Sequence, residues 1–181
     1  MRVLKYHEFK LLKKADFLQW KKERNLHETR IIRRYRIQRP EDYHQYNKLC
    51  GRIKKLAEKI KELDPSDKKR VEYTDILLEK LYEMGIIPLK RSLEQCAKIT
   101  VSSFCRRRLA VVLVRLKYAE NLKEATTFVE QGHIRIGPHQ VTDPALLVTR
   151  NMEDFITWTD HSKIKRKILQ YNDQLDDYDL L

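Results

Sequence analysis

Arg106, Arg107 and Arg108 stand in succession, and Arg115, Lys117, Lys123, His133 and Arg135 follow soon after. A guanidinium is a planar fork that bonds a phosphate at two points and stacks on a base. These residue types at this density suit holding a nucleic-acid backbone rather than making or breaking a bond. Arg108, Arg115, Lys123 and Arg135 would form a basic edge that grips a stem or junction, with Arg106 and Lys117 on a second edge. His133 adds a stacking or hydrogen-bonding group. A second basic set, Arg30, Arg33, Arg34 and Arg36, alternates with Ile31, Ile32, Tyr35 and Ile37. It reads as an extended or partly ordered basic arm ending at Pro40, able to thread along a nucleic acid or to meet a partner protein.

Other chemistries find little support. The chain has no glycine-rich phosphate loop, nucleophile motif or carboxylate–histidine set with metal-ligand spacing, so no catalytic residue, metal or cofactor is expected. Cys50, Cys96 and Cys105 are odd in number and far apart, which fits three buried thiols in a reducing compartment. No apolar run is long enough for a membrane span, and the amino-terminal residues lack the apolar stretch of a secretion signal.

The elements that must position these groups are mostly helical. Among 181 residues, 38 are Lys or Arg and 26 are Asp or Glu, a net charge of +12. The first 40 residues hold 13 basic and 4 acidic groups, whereas residues 151–181 hold 4 and 7. Such a gradient points to a polyanionic partner. Apolar spacing predicts a helix over 4–24. A second starts at Pro40, with Glu41 and Asp42 in its first turn, and stops at Asp64-Pro65-Ser66-Asp67. A third runs from Asp67 to Met84, with Val71, Leu77, Leu78 and Leu81 as its core and Gly85 as its stop. Tyr43 and Tyr46 fit helix core better than base-stacking platforms. Ser102 caps a helix to about Lys117 whose inward stripe is Cys105, Leu109, Val112 and Leu116. Asn121 and Glu124 open another. The period then changes from 3.6 to 2 at His133-Ile134-Arg135-Ile136, with Ile134 and Ile136 inward and His133 and Arg135 outward. Turns at Gly137-Pro138 and Asp143-Pro144 and a run at Phe155–Trp158 complete a small sheet. The fold class is α+β: a helical amino-terminal region followed by a small domain of two helices and short strands. The expected divisions are 1–40 (basic helix and arm), 41–100 (helical hairpin and connector), 101–160 (the small domain) and 161–181 (a helix and an acidic tail).

The segment 102–158 resembles the S-four (S4) RNA-binding domain. The resemblance rests on Arg108-Leu109, Asn121, Ala125, Phe128-Val129, Gly132-His133, Ile134-Arg135-Ile136 and Asp143-Pro144. Where that family brings basic residues on its second helix, this chain has Leu122 and Thr126, with Lys123 between them. Further likeness at Phe17–Lys21, Tyr43–Asn47, Lys80–Gly85, Val148–Asp154 and the acidic end extends over the whole chain, to a family of U3 small nucleolar ribonucleoprotein subunits. That resemblance implies a non-enzymatic nucleolar factor of the small-subunit processome. It also implies U3 snoRNA and pre-rRNA as RNA partners, with an M-phase phosphoprotein-ten subunit, an Imp-four-type protein and other processome proteins around it. The implied role is to help U3 snoRNA pair with pre-rRNA for 18S rRNA processing. Two other readings stay open: a structural small-subunit ribosomal protein of the S-four family, and a protein-interaction scaffold.

Overall fold

The computed structural model describes the backbone of residues 2–14 and 19–174, and side chains outside 11–25. Ten helices and three short strands occupy the described residues. The helix predicted over 4–24 falls partly outside them. α1 covers Tyr6–Lys14 and α2 covers Gln19–Tyr35. The acidic end beyond residue 174 also lies outside them.

α2 corrects one expectation. Residues 25–35, read as an extended arm, are helical. Ile31, Ile32 and Tyr35 are spaced one and four apart, a helical stripe, and they pack against the first core with Ile37. The interleaved arginines hid that stripe. The helix closes with Arg36 at φ 47° and with the Ile37 amide donating to the Ile32 carbonyl. This is a left-handed terminator in which Arg stands where glycine is usual.

α3 (Pro40–Glu62) starts at its proline, as the sequence predicts, and buries Tyr43, Tyr46, Cys50, Ala57 and Ile60. α4 (Lys68–Glu83) returns beside it, opened by Asp67, whose side chain accepts from the Lys69 amide. Leu78 and Leu81 are buried as expected, but Val71 is 54% exposed. It sits at the lip of a groove of about 900 Å³ between α3, α4 and the single turn α5 (Glu94–Ala97). Gly85 ends α4 at φ +69°, a conformation that costs glycine little.

The helix predicted from Ser102 to Lys117 is two helices. α6 (Val101–Cys105) begins at Thr100, which forms a reciprocal capping box with Ser103. Residues 106–108 then break the run. Arg108 has extended backbone, bridges Leu147, and opens α7 (Leu109–Arg115). α8 (Leu122–Glu130) follows after Asn121, whose side chain makes no capping bond. Beyond α8, β1 (Ile134–Ile136) pairs antiparallel with β2 (His139–Gln140) on one edge. On the other it pairs with β3 (Ile156–Trp158), after the turn of helix α9 (Arg150–Glu153). Ile134 is fully buried and Ile136 half-buried. α10 (Lys163–Tyr171) is opened by Ser162.

Two apolar cores result. The first joins α2–α6 through Tyr35, Ile37, Leu78, Leu81, Ile87 and Phe104. The second joins α7, α8 and the sheet through Leu109, Leu113, Ala125, Val129, Ile134 and Ile156. Each fully buried large aliphatic contributes about 1.5–3 kcal/mol. The cores change over between Cys105 and Leu109, so α6, assigned by the sequence to the second unit, packs in the first.

Candidate nucleic-acid interface

The changeover decides the fate of the three arginines. Arg107 and Arg108, expected from the sequence to lie on an exposed basic surface, are 5% and 3% exposed, so neither guanidinium is open to solvent. The Arg107 guanidinium donates to the Val148 carbonyl, at 2.8 Å from Nε, and pairs with Glu153. Arg108 Nη1 lies 2.9 Å from Asp42 Oδ2 and 3.3 Å from the Tyr46 hydroxyl, both on α3. Leaving a guanidinium buried without partners costs several kcal/mol, so the fold surrounds each with acceptors. The regular helix assumed from the sequence would have pointed Arg107 outward. The break at 106–108 turns it in.

A third arginine completes the join. Arg150 donates to the carbonyls of Tyr82 and Ile87, each at 2.9 Å, and stacks on the Tyr82 ring at 4.1 Å. It was not singled out from the sequence, which gave no signal for it. Gly85 lies under Arg107, and an added Cβ would stand 2.7 Å from Cζ. With Arg107 anchored, that space cannot open.

The remaining candidates divide between the two ends of the α7–α8 hairpin. Arg115, Lys117 and Lys123 flank the connecting turn, all exposed. Arg115 lies 2.6 Å from Glu153. Burial would raise the Glu153 carboxyl, but bonds and charge from Arg115 and Arg107 outweigh it and hold the group below the ordinary glutamate value. Lys117 has φ 63°, and the Tyr118 amide donates to the Leu113 carbonyl, the terminator already seen at Arg36. Among the described residues Lys117 and Lys123 have no side-chain partner.

At the other end, Arg106 is exposed and likewise unpartnered. His133 is half-buried, its Nδ1 3.0 Å from the Ser162 hydroxyl and its ring edge-on to Phe128. Arg135 is bonded to Thr157 and ion-paired with Asp160, which Lys165 also engages. The outward orientation predicted for Arg135 holds, but its charge is partly satisfied within the protein. Gln38, just past α2, bonds Glu130 at the end of α8. That contact brings the carboxyl end of α2, with exposed Arg30, Arg33, Arg34 and Arg36, beside this end of the hairpin.

Tyr43 and Tyr46 are core residues, the latter stacked on Phe104. All three cysteines are free and buried, and burial pushes the Cys105 thiol up to about 11, so it stays protonated at neutral pH. The sequence reading also passed over Lys163, Arg166 and Lys167 on α10, exposed cations around the Ile164–Ile168 stripe. Their signal was the helical spacing of those isoleucines.

Comparison with known proteins agrees with this division. The ribosomal protein S4/S9 N-terminal domain matches residues 3–106 and the S4 domain residues 107–154, meeting at the change of core. A small ribosomal subunit protein uS4 from Hyperthermus butylicus is 25% identical over 151 residues, covering 83% of this chain and 85% of that one. The U3 small nucleolar ribonucleoprotein protein IMP3 of Saccharomyces cerevisiae is 51% identical over 180 residues, covering 99% and 98%. That of Homo sapiens is 55% identical over 181 residues, again covering 99% and 98%. Identity at this level, end to end in both partners, places the chain in the IMP3 family of U3 small nucleolar ribonucleoprotein proteins.

Proposed function

We propose that the chain is a non-enzymatic, nucleolar RNA-binding component of the U3 small nucleolar ribonucleoprotein and the small-subunit processome. In this reading it favours pairing of U3 snoRNA with pre-rRNA ahead of 18S rRNA maturation. The observation that carries it is the set of exposed cations at both ends of the α7–α8 hairpin and along the end of α2, of which Arg106, Lys117 and Lys123 have no side-chain partner among the described residues, presented by a chain that matches IMP3 proteins over its length.

RNA strands repel through their phosphates. Lys117 and Lys123 on one side, and Arg106, Arg30, Arg33, Arg34 and Arg36 on the other, can screen two strands at once or hold an opened stem. That lowers the barrier to nucleating a duplex without covalent chemistry. Arg115, His133 and Arg135 belong to the surface in a secondary role, since each already has a protein partner. M-phase phosphoprotein-ten, Imp-four-type and other processome proteins are the protein neighbours of this reading.

The test is salt dependence of binding to a U3 snoRNA fragment. With about five phosphates neutralised, log affinity against log salt should fall with a slope of roughly −3.5 to −4.5. A nearly flat slope refutes the reading. Sedimentation separates it from a permanent ribosomal protein: the tagged chain should travel with large precursor particles and be absent from mature small subunits.

A further inference from the structure

α3 carries two regular patterns. Tyr43, Tyr46, Cys50, Ile53 and Ala57 recur at threes and fours and face the first core, and Ile60, also buried, continues the stripe. Beside that seam, Leu49 and Leu56 on α3 and Leu63 at its C-cap recur every seven residues, and they are 38%, 47% and 38% exposed. At 1.5 Å per residue this column runs for about 21 Å. On a wheel of 100° per residue the neighbouring column holds Arg52 and Lys59, and the next Lys48 and Lys55. All four are exposed, and none has an ion-pair partner among the described residues.

Phosphate would satisfy these cations but leave the leucines in water. A second copy of the chain would cover the leucines but bring the same four cations against them. An amphipathic helix satisfies both columns. Its apolar residues, on a heptad spacing, interlock with Leu49, Leu56 and Leu63, and its flanking carboxylates meet Arg52, Lys59, Lys48 and Lys55. We infer that the outer flank of α3 docks an acidic amphipathic helix from a partner protein, side by side with α3 and along the Leu49–Leu56–Leu63 column. The surface is distinct from the cations proposed to hold RNA, so both partners can be engaged together.

The test is zero-length carbodiimide coupling of the full chain in particles isolated from cells, which joins lysine amines to carboxylates in direct contact. Lys48, Lys55 and Lys59 should couple to Asp or Glu residues three, four or seven apart in one protein segment. Leu49→Asp with Leu56→Asp, both on the solvent side of α3, should lower that coupling at least tenfold while ultraviolet crosslinks to RNA persist. Lys55→Glu with Lys59→Glu, which leaves the leucines in place, should weaken retention of the same segment at low salt and lose its effect at high salt. Absence of carboxylate coupling, coupling to a second copy, ultraviolet crosslinks from this column to RNA, or indifference to the leucine changes would each overturn the proposal.

Discussion

The arginines at 107 and 108 and the cations at 117 and 123 lie in the same domain, yet they do opposite work. The first pair joins two hydrophobic cores and is withdrawn from solvent, while the second faces water with no side-chain partner among the described residues. What separates them is the company the fold supplies. A guanidinium that meets Asp42, Tyr46, Glu153 or the Val148 carbonyl is spent on architecture. A cation left without such groups is free to meet phosphate. A basic run in a sequence therefore marks RNA contact only where the break in local structure has been located.

The largest expected effect is from Arg108→Ala. Removing it strands Asp42 at the seam and should lower stability by about 3–5 kcal/mol, read by urea unfolding. RNA affinity per folded molecule should be unchanged. A variant that unfolds like the parent but binds RNA poorly would erase the contrast between the two sets.

Glu153→Gln comes next. It removes one charge from between Arg107 and Arg115, and a loss of about 2 kcal/mol at neutral pH is expected from weaker charged hydrogen bonds. The carboxyl is depressed in the folded state, so its contribution is present above the ordinary glutamate value near about 4.3 and is lost as pH falls through the folded value. Acid titration of stability should be shallower in the variant. An identical acid profile would mean that Glu153 is not the titrating partner.

Charge reversal at Lys123 should do what the seam arginines cannot. Lys123→Glu is expected to weaken RNA binding about tenfold and to flatten the salt slope by about one, with stability changed by less than about 0.5 kcal/mol. Equal losses in melting temperature and binding would place Lys123 with the structural group. The smallest effect sharpens the same division within one residue. Lys117→Gly relieves a left-handed backbone and should add up to about 1 kcal/mol of stability while lowering RNA affinity a few-fold. A gain in stability without loss of binding would show that the side chain at that turn is idle.

Much of the architecture was legible beforehand because local signals agreed with the global fold. Pro40 with Glu41 and Asp42, Asp67, Gly85 and the change of period at His133 all mark real boundaries. The failures share one cause. At 25–40 the arginines broke up an apolar stripe that exists only on a helix packed against α3. At 106–108 a helical period runs through residues that tertiary acceptors pull into an extended link. Val71 fits a core pattern but is 54% exposed at the groove lip. The site was half legible for the same reason: charge shows in sequence, but its partners 41 and 66 residues away do not.

The join at Arg107, Arg108 and Arg150 bears on modularity. Its acceptors come from α3, α4 and the residues after α4 on one side, and from Val148 and Glu153 on the other. A cut anywhere near residue 107 would tear guanidinium groups from counterparts on the far side of the scission. The carboxyl-terminal half is thus no detachable cassette, and grafting it elsewhere would require importing the helical scaffold that neutralises its own entrance.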